Sequence, residues 1–78
     1  MAVDFPKDPV RAAVYYRCAA ESGNLNGQYF YAQCLEMGVG VRKDVAEAIN
    51  LFGLSARQGH TYAQNRFVAL TNVNLRRK

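Results

Sequence analysis

Small and apolar residues return every three or four positions along the chain, and polar residues fill the positions between them. Ala12, Tyr16, Ala19 and Ala20 form one such stripe, and Ala48, Phe52, Ser55 and Ala56 form another. No segment alternates apolar and polar residues with the period of two that a half-buried strand requires. The spacing predicts four helices, near residues 9–22, 26–37, 45–58 and 62–73, and therefore an all-α fold.

The punctuation between the stripes agrees. Asp8 is placed to cap a helix whose first position is Pro9, where a missing N–H costs nothing. Asp44, with Glu47 three residues later, makes a start resembling a capping box. Gly23 and Gly59 stand where a helix should stop in a left-handed cap. Asn24 or Asn26 restarts the chain after the first stop, and Thr61 with Gln64 after the second. The turns at 23–25 and 59–61 are short, so helices joined by them should lie antiparallel.

The two halves are copies of one unit. An offset of 36 residues pairs Val3 with Val39, Lys7 with Lys43, Asp8 with Asp44 and Ala12 with Ala48. It also pairs Ala20 with Ala56, Gly23 with Gly59 and Gln28 with Gln64. Tyr16 falls opposite Phe52, Ala19 opposite Ser55, Gly27 opposite Ala63 and Tyr31 opposite Phe67. Small residues at 20, 27, 32, 56 and 63 let helices approach closely. The expected architecture is a short α-solenoid of about two stacked helix–turn–helix units, one domain over 1–78.

Residues 27–59 carry a more specific signature: Gly27, Tyr31-Ala32, Leu35, Gly38-Val39-Gly40-Val41, Asp44, Ala48, Phe52, Ser55-Ala56 and Gly59. This resembles the Sel-one-like repeat, a relative of the tetratricopeptide repeat, with one whole unit and a half unit on each side. Ala32 and Val68 depart from the family's preferred Gly, and Leu35 and Thr71 from its preferred aromatic. No second G-x-G-V follows Thr71, which suggests a degenerate end repeat or a truncation point. A cysteine-rich branch of the family pairs cysteines at the positions of Ala20 and Gln28, so those disulfides do not carry over.

The resemblance implies a non-catalytic adaptor or scaffold that binds another protein or peptide. In the related tetratricopeptide arrays the helix bearing the small–aromatic pattern lines the concave face. Carried over, Gly27, Tyr31, Ala32 and Leu35 pack the core, leaving Asn26, Tyr29, Gln33 and Met37 toward the groove. The last helix adds Tyr62, Asn65, Ala69 and Val73, with Arg66 beside them. Tyr, Met and Arg suit binding surfaces because they combine large contact area with a polar or adaptable end. Asn and Gln offer paired donors and acceptors to a peptide backbone. The alternative leaves Tyr29 and Tyr62 packed against the adjoining repeat and Arg66 as a solvated charge.

Charge changes the picture little. The chain carries ten basic and six acidic residues, with a pI near 9.4. Arg76, Arg77 and Lys78 account for most of the excess, so the runner-up function is a helical module whose basic tail, 74–78, contacts nucleic acid or an anionic surface. The first helix is apolar on several sides, at Val10, Ala13, Val14, Tyr15 and Tyr16. It is expected to pack against another copy, another domain or a removed part of a longer protein. There is no apolar run of transmembrane length, and the start MAVDFPKDPV lacks a secretory apolar stretch, which makes cytoplasmic the default expectation.

The residue types that carry chemistry are sparse. GVGV follows no strand and lacks the G-x-G-x-x-G spacing of a phosphate loop. His60 is the single histidine, and the two cysteines, Cys18 and Cys34, read as small buried hydrophobes. Asp8 and Asp44 are explained by capping. Neither a metal, a cofactor nor an enzymatic activity is expected.

Overall fold

The computed structural model describes residues 8–76, with side chains through residue 72. Four helices follow one another: α1 (Pro9–Glu21), α2 (Leu25–Met37), α3 (Val45–Arg57) and α4 (Thr61–Arg76). Among the described residues there is no strand, as the periodicity requires. Helix α4 runs on through Arg76, so the first part of the expected basic tail is helical; residues 77 and 78 lie outside the described residues.

The two units end their first helices in the same way. After α1, the Gly23 N–H donates to Ala20 O (3.0 Å) and the Asn24 N–H to Ala19 O (3.1 Å). After α3, the Gly59 N–H donates to Ala56 O (2.9 Å) and the His60 N–H to Ser55 O (3.2 Å). This paired 5→2 and 6→1 arrangement satisfies carbonyls that the helix end would otherwise leave free.

The helix starts follow the sequence in part. The Asp8 carboxylate accepts the Arg11 N–H, Asn24 accepts the Gly27 N–H, and Asp44 accepts the Glu47 N–H. Two expectations need correction. Thr61 does not cap α4, because it already lies inside the helix; Nδ1 of His60 accepts the Ala63 N–H instead (3.2 Å). Gln64 turns back and donates to Ala56 O. Nor is the box at Asp44 reciprocal: the Asp44 N–H donates to Leu35 O (2.9 Å), leaving no donor for Glu47 to satisfy.

Helix α2 packs against both α1 and α3, and α3 packs against α4. The polar ties give the sense of the stack. The end of α3 meets the start of α2, where the Ser55 hydroxyl donates to Leu25 O (2.7 Å). Gln58 Nε2 bridges Gln28 Oε1 (2.8 Å) and Gly23 O (3.2 Å). The start of α3 meets the end of α2 through Asp44 and Leu35, so the two helices are antiparallel.

The core is Ala20, Ala32, Leu35, Ala48, Leu51, Phe52 and Ala63, flanked by Tyr31, Val41, Phe67 and Leu70. Four small residues among the seven explain how the helices come close enough to stack. Gly27 marks the tightest crossing: a Cβ there would sit 2.8 Å from the Ala19 carbonyl carbon and the Ala20 nitrogen. Gly40, at φ +73°, presses its backbone on the Pro9 carbonyl and so ties the GVGV link to the start of α1. Cys34 is buried as expected, but Cys18 is exposed. It lies off the face of α1 that buries Ala13 and Ala20.

Candidate interaction surface

Helices α2 and α4 occupy corresponding places in the two units, and an aromatic cluster bridges their starts. The Tyr29 ring stacks on His60 with centres 4.4 Å apart and planes 22° apart. It meets Phe52 edge-on at 5.8 Å and stands 6.4 Å from Tyr62. The Tyr29 hydroxyl accepts a hydrogen bond from Gln33 Nε2 at 3.1 Å. Tyr29 is thereby fixed from three sides, with its ring partly in the core and its hydroxyl end held by an amide.

Tyr62 projects beside it and is 69% exposed. Farther along, Arg66 Nη2 on α4 pairs with the Glu36 carboxylate on α2. The guanidinium is thus held in place across two helices, with part of its surface still open to solvent.

Of the nine sequence-nominated residues, Tyr29, Gln33 and Tyr62 come together, and Arg66 is joined to α2 through Glu36. Asn26, Met37, Asn65 and Ala69 are exposed on the same two helices and make no side-chain hydrogen bond to that group. The side chain of Val73 lies outside the described residues. Tyr29 itself packs on the core residue Phe52 and is half-buried.

Sequence reasoning missed two members, His60 and Glu36. The position of His60 directly before a helix and three residues ahead of Ala63 is the signal that would have marked it as a cap. Glu36 and Arg66 are 30 residues apart, which is not the repeat offset, so no local pattern links them.

The surface holds little reactive chemistry. Burial pushes the Cys34 thiol up from its ordinary value, which disfavours the thiolate. Among the described residues no three His, Cys, Asp or Glu side chains are grouped to hold a metal ion. No helix among them is long and apolar enough to cross a membrane.

Two stacked helical hairpins with shared stop signals and a continuous small-residue core define a helical-repeat protein of the tetratricopeptide-like class. The Sel1 repeat family matches the chain at residues 4–24 and 25–60, and the chain belongs to that family. It is 38% identical over 77 residues to rat DAP3-binding cell death enhancer 1 and 40% identical over 77 residues to the mouse protein of that name. Each alignment covers 94% of this chain and 15% of the relative, so the chain spans only a small part of their length. A protective antigen of uropathogenic Escherichia coli with an SLR fold superposes with a TM-score of 0.86 at 33% identity. That match covers 88% of this chain and 15% of the antigen. Sel1 repeats are in general a protein-interaction fold rather than an enzymatic one.

Proposed function

We propose that this chain is a non-catalytic protein–protein interaction module that grips a partner segment on the concave face formed by α2 and α4. The observation that carries the reading is the exposed Tyr62 ring standing beside a fixed Tyr29. A large aromatic held at a defined place loses little entropy on binding and so makes an effective anchor. Gln33, Asn26 and Asn65 supply amides along the same helices, and Arg66 supplies positioned guanidinium donors whose charge Glu36 offsets. Membership of a family that serves mainly in protein contacts supports it further.

The rat and mouse relatives are named as DAP3-binding, which makes DAP3 the first partner to test. Calorimetry would compare the wild-type chain with a Tyr62→Ala, Arg66→Glu variant. Tyr62 is the residue to truncate, because Tyr29 packs on Phe52 and its loss would disturb the fold. A Kd weakened by about tenfold or more in a variant that keeps its helical circular dichroism supports the surface. Equal affinity in both chains overturns it. If DAP3 does not bind the wild type, the same pair of chains serves as bait in a lysate, where partners lost only with the variant identify the ligand.

A further inference from the structure

A second cleft opens on the other side of α2, between α1 and α3, with a volume of about 500 Å³. Its floor and walls are apolar, built from Tyr31, Leu35, Leu51 and Leu54. Leu54 is 45% exposed, an unusual state for a leucine flanked by two buried ones of the same cleft. The rim is acidic, with Glu21 on the α1 side and Asp44 and Glu47 on the α3 side. Arg17 also reaches the rim, but its Nε pairs with Glu21 at 3.3 Å, so those two charges cancel locally. Asp44 and Glu47 are left as a negative edge on a chain whose net charge is +4. Their basic sequence neighbours, Arg42 and Lys43, do not line the cleft.

We propose that this cleft is a second docking site, distinct from the α2–α4 face, for a short amphipathic helix whose apolar stripe is edged with Lys or Arg. Shape and charge both select this occupant. Helices α1 and α3 are repeat equivalents and run parallel, so the cleft is a trough with α2 as its floor, the geometry in which an amphipathic helix seats its apolar face. The volume lies in the range that holds several apolar side chains. The Glu47 carboxylate, with that of Asp44 which also caps α3, attracts flanking ammonium or guanidinium groups and repels phosphate, which disfavours nucleic acid and anionic lipid. The module would then hold two partners, or two segments of one partner, on opposite sides of α2.

The test uses a fluorescein-labelled model helix with Leu at i, i+3, i+4 and i+7 and Lys at the flanking positions. One control peptide replaces the leucines by serine, and another replaces the lysines by glutamate. Fluorescence anisotropy on the full chain should show binding of the Leu/Lys helix and not of either control. Affinity should fall about tenfold or more in Glu47→Lys and in Leu54→Ser, each checked for retained helicity, and should be unchanged in Tyr62→Ala. Three results overturn the proposal: no binding to the wild type, equal binding of the Ser/Lys control, which would mean plain ion attraction, or loss that follows Tyr62→Ala instead of the cleft variants.

Discussion

His60 serves α4 and Tyr29 at once: its ring stacks on Tyr29 at 4.4 Å while its Nδ1 accepts the Ala63 N–H at 3.2 Å. One side chain thus fixes the start of one helix and the exposed edge of another. Truncation removes a cap and an aromatic contact together. His60→Ala should cost about 1–2 kcal/mol, equivalent to a Tm loss on the order of 4–16 °C for a domain of this size. His60→Asn keeps an acceptor at the cap and loses only the stacking, so it should fall between the two. Thermal unfolding followed by circular dichroism orders the three proteins. Equal Tm values for His60→Ala and the wild type would show that the ring contributes nothing.

The contact of α1 with α2 depends on a missing atom. A Cβ at position 27 would lie 2.8 Å from backbone atoms of Ala19 and Ala20, and backbone cannot step aside as a side-chain tip can. Gly27→Ala should therefore cost about 1–3 kcal/mol by forcing the helices apart, despite the better helix propensity of alanine. Gly53→Ala is the informative comparison. Its Cβ would come nearest to the Phe67 ring edge, at 3.0 Å, and a small ring shift relieves that. Urea unfolding should show a clearly larger loss for position 27 than for position 53.

These two sites mark what was legible in the sequence. Helix stops at Gly23 and Gly59 and starts at Asp8 and Asp44 could be read because each rests on a local bond within a few residues. Gly27 could be read as a close approach because its repeat partner is Ala63, also small and buried. The pairing of Glu36 with Arg66 could not, since it depends on how two helices in different units face each other. Exposure of Cys18 was hidden for a related reason: in a helix this rich in apolar residues, composition does not say which face the neighbour covers. The His60 cap was missed because the adjacent Thr61 is the more usual capping type, and position decided against it.

Arg66 and Glu36 bridge α4 and α2, with side chains 41% and 20% exposed. A pair this open is screened by water and salt, so its coupling in a double-mutant cycle should be at most about 1 kcal/mol and should shrink as salt rises. Removing Arg66 alone should accordingly leave the fold nearly as stable as before. If Arg66→Ala is strongly destabilising, the residue is structural, and its place in the proposed binding surface loses its support.

Cys34 and Cys18 should differ sharply in reactivity. Cys18 is exposed, whereas Cys34 is buried and its thiol is held above its ordinary value of 9.0 by desolvation. A thiol reagent at neutral pH should modify Cys18 quickly and Cys34 only when the protein unfolds, because the thiolate is the attacking species and access is also blocked. The raised value fixes the sign of the pH dependence too. Below the unfolded-state value both states keep the proton, and the contribution to stability is flat. As pH rises through that value the unfolded chain releases its Cys34 proton first, so stability falls until the folded thiol ionises as well. Unfolding midpoints measured from pH 8 to pH 10.5 should decline for the wild type, and Cys34→Ala should remove that part of the decline. A decline unchanged by the substitution would assign it to other groups.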